Sequence, residues 1–199
     1  MEVYIKKILE LDIEKIVEIH NAAFENFFLT ELGPSFLKTY YRSVFFSNDG
    51  VFLKAVSAEN KILGFCAATK LSAGFNFRII KNNFYAFLFH GIKMFFSNPK
   101  NLLHIMKNFK KTNVSVNDDK QYAELLSIAT LPQYQGAGIG KKLLCELEHY
   151  VDKETIISLT TDSENNNKAI NFYKRCGYEI WYDFITYPDR KMYRMVKKI

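Results

Sequence analysis

The chain has 199 residues, is 48% hydrophobic and carries 27 lysines and arginines against 21 aspartates and glutamates, a net charge of +6. That length and apolar content support a single domain with a sizeable core and exclude a disordered or fibrous chain. The basic excess suits an anionic ligand or surface, while three cysteines with no CxxC pair exclude a disulfide framework or zinc ribbon and suit a reducing compartment.

Val3 to Ile8 alternates as a first strand, and Asp12 is placed to cap a helix marked by Ile13, Ile16, Val17, Ile19 and His20, running to Ala23 and Phe24. An unusually apolar connection, Phe27-Phe28-Leu29, leads to Pro34, which suits the first turn of a helix carrying Phe36, Leu37, Tyr40, Tyr41 and Val44. Asp49-Gly50 is a turn, Val51–Ser57 a strand, and Glu59-Asn60 a hairpin into the strand Ile62–Ala68.

From Leu71 to Asn113 there is no aspartate or glutamate, and lysine, asparagine and phenylalanine dominate. Phe84 to Phe96 predicts one helix, and Asn98 followed by Pro99 predicts the start of a second, with Leu102, Leu103, Ile105, Met106 and Phe109 on its apolar side. The greasy run Phe84–Phe96 is interrupted by His90 and Lys93 and falls short of the roughly 20 residues that span a bilayer. Met1–Lys6 lacks the layout of a signal peptide, so a cytoplasmic location is expected. The four histidines have no metal-ligand spacing, and no metal is expected.

The turn Asn117-Asp118-Asp119 precedes the most informative stretch: the strand Tyr122 to Thr130, the turn at Pro132, and Gln135-Gly136-Ala137-Gly138-Ile139-Gly140-Lys141 opening directly into a helix with Leu143, Leu144, Leu147 and Val151. The first amides of a helix lack intrahelical partners, and its dipole adds roughly half a positive charge there, so the bend is a candidate phosphate site. A dinucleotide fingerprint fails because Lys141 stands where its third glycine belongs; a Walker loop fails because Gln135 and Lys142 replace its first glycine and its hydroxyl residue. The strand Thr155–Thr160 completes a βαβ unit, which makes it a parallel neighbour of the strand before the bend. A helix from Ser163-Glu164 to Cys176, stopped by Gly177, and the strands Tyr178–Thr186 and Met192–Val196, turned at Pro188-Asp189, finish the chain.

Gln135-x-x-Gly138-x-Gly140 after a strand ending Ile128-Ala129-Thr130, followed by Asn166-x-x-Ala169-Ile170-x-x-Tyr173-x-x-x-Gly177-Tyr178, resembles the GCN5-related N-acetyltransferase (GNAT) family in both motifs and in their order. The resemblance implies an α/β fold with a GNAT-type mixed, twisted sheet of about seven strands, flanking helices, and a helical insertion at 71–113 between strands 3 and 4. Some GNAT proteins from bacterial surface-sugar gene clusters resemble the layout around Leu32 to Tyr41 and the basic helical pair.

By that resemblance the chain transfers an acetyl group from acetyl-CoA to a primary amine of a small molecule, with a nucleotide-linked amino sugar as the expected acceptor. The alternatives are a protein or peptide amine acetyltransferase and a non-catalytic acyl-CoA-binding module. Amides of Gln135, Gly136, Ala137, Gly138, Ile139, Gly140 and Lys141 would hold the coenzyme pyrophosphate, with Lys141 or Lys142 adding charge. Ile128, Ala129 and Thr130 would pair with the pantetheine arm as an added strand. Asn166 would bind that arm or steer the next helix, and Tyr173 would protonate the leaving thiolate.

For the base, Glu124 on the fourth strand is the first candidate and His20 a weaker one. Thr161 stands where peptide N-terminal acetyltransferases of the family can carry a glutamate, which argues mildly against a peptide acceptor. The insertion reads as an amphipathic pair or a lid over an anionic acceptor; contact with an acidic membrane surface ranks lower and nucleic acid lower still.

Overall fold

The computed structural model describes residues 1–25, 27–97, 118–186 and 189–199. The predicted helix beginning at Asn98-Pro99, Asn117 of the following turn, and Pro188 lie outside the described residues. The strands are β1 (Val3–Lys7), β2 (Gly50–Ser57), β3 (Ile62–Thr69), β4 (Ala123–Thr130), β5 (Ile156–Asp162), β6 (Glu179–Thr186) and β7 (Arg190–Lys198). The helices are α1 (Ile13–Ala23), α2 (Phe28–Glu31), α3 (Pro34–Phe45), α4 (Phe75–Asn82), α5 (Phe84–Ser97), α6 (Ile139–Glu148) and α7 (Asn167–Arg175).

Seven strands form one sheet in the order β1-β2-β3-β4-β5-β7-β6, antiparallel except for β4 and β5. Both faces are covered. On one, Ile139, Leu143, Leu144 and Leu147 of α6 pack with Leu53, Cys66, Leu125 and Leu159; on the other, Ile16 and Ile19 of α1 and Leu37, Tyr41 and Val44 of α3 pack with Phe52, Phe65 and Ala129. The mostly apolar runs of β2 and β3, broken in β2 by Lys54, follow from this, since a strand buried on both faces has no polar side to alternate with.

Two features of β4 shape the site. The β3–β4 register shifts between Ala67↔Ser127 and Ala68↔Leu125, a bulge at Leu126. It changes the parity of the strand, so that Leu125 and Ile128, three residues apart, pack toward the same core. The parallel pairing with β5 covers only Ala123↔Ile157, Glu124↔Ser158 and Leu125↔Leu159. Beyond Leu125 the two strands part, and the β5-facing edge of residues 126–130 is left without a strand partner.

Several local expectations need correction. Asp12 does not cap α1 with its side chain; its carboxylate instead accepts from the Leu9 amide (2.6 Å) and from Lys54 on β2 (2.5 Å), closing a short 3-10 turn and pinning it to the sheet. An additional helix, α4, precedes the predicted Phe84–Phe96 helix. Its Phe75 and Ile79, one turn apart, are buried in the α1–α3 core. Helix α6 ends at Glu148 rather than reaching Val151, and α7 begins at Asn167 rather than Ser163, because Asn165 takes a left-handed φ of 55°.

Helices α4 and α5 dock on α3, away from the parted strands. Arg78 binds Asp49 (2.9 Å) and the Leu71 carbonyl (2.9 Å), and His90 Nε2 meets the Thr39 hydroxyl at 2.9 Å beside Phe36 and Phe87.

Candidate active site

Where β4 and β5 part, a cavity of 1480 Å³ opens between them. One wall is the end of β4 with the glycine bend and the start of α6; a second is β5 and α7; the third is the end of α1 and the connection to α2. The volume exceeds the roughly 300–1,000 Å³ of a site for one drug-sized ligand, which leaves room for two substrates side by side.

The glycine bend forms the donor end. Gly138, at the cap of α6, has φ +77° and ψ 3°, a left-handed conformation that disfavours side chains with a Cβ. The first intrahelical bond runs from the Lys142 amide to the Gly138 carbonyl at 3.1 Å, so the amides of Gly138, Ile139, Gly140 and Lys141 precede it and can serve an anion. Gly140 has a different role: a Cβ there would stand 3.0 Å from the Phe172 ring, so its absence lets α7 approach α6. Lys141 lines the cavity, whereas Lys142 turns away, with Nζ 3.4 Å from the Val3 carbonyl.

Of the residues predicted for the donor, Ile128, Ala129, Thr130, Gln135, Gly136, Gly138, Ile139, Gly140, Lys141 and Asn166 all line this cavity, as does Tyr173. Ala137 does not; its amide points back to the Tyr134 carbonyl at 3.4 Å. Asn166 donates its side-chain amide to Thr161 Oγ1 (2.7 Å) and the Asp162 carbonyl (3.3 Å), which steers the start of α7 against the end of β5. Tyr173 is packed by Phe172 and Tyr178 at ring distances of 5.2 and 5.9 Å, and burial pushes its phenol above the usual range. It therefore holds its proton at neutral pH, the state a donor needs.

Glu124 is not on the cavity wall. One carboxylate oxygen accepts from Arg194 Nη1 at 2.5 Å and the other from the Ser72 hydroxyl, and Arg194 also reaches Ser158 at 3.1 Å. The side chain ties β4 to β7 and to Ser72 just after β3, and is engaged on both oxygens. As the first candidate for a base it is displaced, because its acceptor capacity is directed at an arginine rather than at the cavity.

The third wall brings in His20, the weaker base candidate, and Phe27 and Leu29 of the apolar connection, and sets opposite them residues for which the sequence offers little signal. His20, Ala23, Phe24, Phe27 and Leu29 line one side, and Asp162, Arg190 and Met192 the other. Arg190 pairs bidentately with Asp162, with Nη2 to Oδ2 at 2.6 Å, and its guanidinium lies 5.4 Å from the Phe27 ring centre. The β5–β7 register, Asp162↔Met192, brings these two residues together, and nothing in their local sequence announces it.

A mixed sheet parted at its one parallel pair, with unpaired helix-N-terminal amides at the parting, is the architecture of an acyl-coenzyme-A-dependent transferase. The chain belongs to the acetyltransferase (GNAT) family, whose model matches residues 13–178. No curated protein sequence matches it significantly.

Among solved structures, the ribosomal-protein-S18-alanine N-acetyltransferase from Escherichia coli is similar at 16% identity and TM-score 0.59, covering 100% of this chain and 94% of that one. A structure described as a spermidine N-acetyltransferase SpeG chimera from Vibrio cholerae and hSSAT has TM-score 0.61 at 14% identity, covering 100% of this chain and 96% of that one. A structure described as histone acetyltransferase HPA2 and related acetyltransferase from Corynebacterium glutamicum has TM-score 0.61 at 16% identity, covering 100% and 98%. At such identities the likeness is one of fold. Family membership makes the chain an acetyl-CoA-dependent N-acetyltransferase. Among the described residues, no helix is long and apolar enough to cross a membrane.

Proposed function

We propose that this enzyme acetylates the primary amine of a small molecule, with a nucleotide-linked amino sugar as the acceptor class. The observation that supports the reading is the large cavity whose lining includes Gly138–Lys141 with their unpaired amides, the open edge of β4 and Tyr173. These groups fit a coenzyme with a pyrophosphate, an amide-bearing arm and a thioester at its tip.

Bound there, acetyl-CoA supplies the activated acetyl group. Gly136 and the first turn of α6, with Lys141, bind the diphosphate charge, while the Gln135 amide, donated to the Pro132 carbonyl at 3.2 Å, leaves only its side chain for that role. The edge of Ile128–Thr130 offers backbone groups for strand-like pairing, and one of its amides is placed to polarise a carbonyl. Asn166, its amide committed to the chain, has its side-chain oxygen to offer. Tyr173 holds the proton that a departing thiolate requires.

On the acceptor side, the rings of Phe24 and Phe27 suit the apolar face of a sugar, and Arg190, paired with Asp162 on one edge, has the rest of its guanidinium to offer an anionic carrier. A peptide amine is the second reading. It is favoured by the observation that no residue of 71–97 lines the cavity, so these described residues form no lid over the groove. Thr161, hydrogen-bonded to Asn166, leaves no carboxylate at that position to serve a peptide.

The test is incubation with acetyl-CoA and a panel of nucleotide-linked and free amino sugars, polyamines, and peptides with free N-termini, following thiol release and acetylated product. Turnover on amino sugars is the expected result. Turnover on peptides alone overturns the acceptor class, and coenzyme binding with no turnover on any amine points to a non-catalytic module.

A further inference from the structure

His20 is one of four described residues with a buried side-chain polar atom that has no hydrogen-bond partner. It is 2% exposed, sits near the end of α1, and lines the cavity that receives the substrates. Its Nδ1 lies 2.6 Å from the Tyr41 hydroxyl, and the Ser127 side chain, beside the β4 bulge, bears on that same hydroxyl. The other ring nitrogen, Nε2, is buried and has no hydrogen-bond partner. Leaving such a nitrogen unsatisfied costs about 1–3 kcal/mol, and native structures rarely tolerate it without a reason. The other described histidines are ordinary by comparison: His90 Nε2 is bonded to Thr39, and His149 is exposed beside Glu146.

The surroundings constrain the ring further. Phe24 packs on it at 4.7 Å and Tyr41 at 5.6 Å between ring centres. Burial pushes its pKa down to about 4, so the imidazole is neutral at working pH and one nitrogen must be an acceptor. Tyr41 is deeply buried with its phenol held well above its usual pKa, so it stays a neutral hydroxyl. Its oxygen can accept from Nδ1–H, an arrangement that leaves the Nε2 lone pair unpaired.

We propose that His20, held by Tyr41 as the Nδ1–H tautomer, is the general base that takes a proton from the acceptor amine through Nε2. The inference rests on the acetyl-transfer reading and supplies the group that Glu124 cannot. Every bond and proton is accounted for. The amine lone pair forms the C–N bond to the acetyl carbon, the N–H proton passes to Nε2, the C–S bond breaks, and the sulfur takes a proton from Tyr173. The imidazolium and phenolate left behind return to their starting states by net transfer of one proton. The acid that His20 must deprotonate is the nitrogen as it bonds to carbon, far stronger than a free ammonium, so a weakly basic imidazole suffices. Tyr41 is a positioning residue: its oxygen fixes the tautomer and steadies the imidazolium.

Two measurements test this. Long-range nitrogen–proton NMR of the histidine rings, with the His20 signals assigned by their loss in His20→Asn, reads the tautomer with no acceptor present. Nδ1–H with an unprotonated Nε2 is expected; an Nε2–H ring overturns the proposal.

The second uses the amine that turns over in the panel, with His20→Asn, whose amide can still donate to Tyr41 but has nothing at Nε2, and His20→Gln, which places a polar group near Nε2 that takes no proton. Both should lower kcat by about a hundredfold or more while coenzyme A binding, followed by calorimetry, stays within threefold and certifies the fold. Turnover of His20→Asn within threefold of the parent overturns the assignment. Because the tautomer is read without acceptor, failure of the amine panel would strike the functional reading and leave the NMR result standing.

Discussion

The donor wall and the acceptor wall of the cavity are built differently. The donor wall comes from one continuous run, β4 through α7, and relies on backbone: unpaired amides, a left-handed glycine cap and an unpartnered strand edge. The acceptor wall is assembled from side chains on α1, the α2 connection, β5 and β7, residues as far apart in sequence as His20 and Arg190. Backbone recognition needs a fixed conformation and tolerates few residues at its turns. Side-chain recognition needs only that packing bring the right groups together, so it can change acceptor without disturbing the donor.

The donor wall meets its hardest test at Tyr173, on the last helix of that run. Tyr173→Phe should lower kcat by roughly a hundredfold to a thousandfold with coenzyme affinity unchanged, measured by steady-state kinetics beside calorimetry. Unchanged turnover would remove the proton-donor assignment.

Next in size is the backbone dependence of the donor wall. Gly138→Val forces a β-branched residue into φ +77°, a cost of about 1–3 kcal/mol, and pulls aligned amides away from the anion. Coenzyme affinity should fall by tens of fold or more in a titration, with the acceptor wall intact.

Removing the Glu124 carboxylate tests whether that residue is chemistry or framework. Glu124→Ala removes the nearer carboxylate of Arg194, which is nearly buried and keeps only Asp118 at 3.9 Å, and breaking such a pair costs about 3–5 kcal/mol. The thermal midpoint should drop by roughly 6–20 °C at the usual slope for a protein of this size. At a temperature where the variant is folded its kcat should be near that of the parent; a loss of turnover out of proportion to folded protein would restore Glu124 as a base.

His20 also predicts an acid dependence of stability. Its folded pKa of about 4 lies below the usual 6.5, so the unfolded chain binds the extra proton first. The stability its neutral form contributes is fully present above pH 6.5 and lost as pH falls toward about 4, a difference of about 3 kcal/mol. Denaturant unfolding across that window should show a shallower pH slope in His20→Asn.

The smallest effect belongs to the rim. Arg190→Ala removes the cation over Phe27 and the Asp162 partner; a part-exposed pair of this kind contributes little to stability. It should raise the acceptor KM by about tenfold, the effect of about 1.4 kcal/mol, leaving coenzyme affinity alone. A change in coenzyme affinity instead would mean that the two walls are not separable.

Legibility in the residues follows the same division. Gln135-x-x-Gly138-x-Gly140 can be read because a left-handed cap and a close helix approach leave a glycine signature. Asn166 and Tyr173 follow because α7 lies a short loop beyond β5. Phe75 and Ile79 give no helical signal in the sequence, because burial, rather than a long periodic pattern, stabilises α4. Glu124 reads as a base in sequence because a carboxylate on a strand looks the same whether it faces a substrate or an arginine seventy positions away.

The donor end is thus legible from the residues alone: one continuous strand–turn–helix, whose amides and glycines are local properties of the backbone and need no distant partner to be recognised. The acceptor end exists only once the chain has folded. The bulge at Leu126 and the short β4–β5 pairing open the cavity, the β5–β7 register brings Arg190 to Asp162, and the packing of α1 on α3 sets His20 against Tyr41. These are contacts between residues far apart in the chain, and their energy lies in burial and geometry that no local pattern encodes.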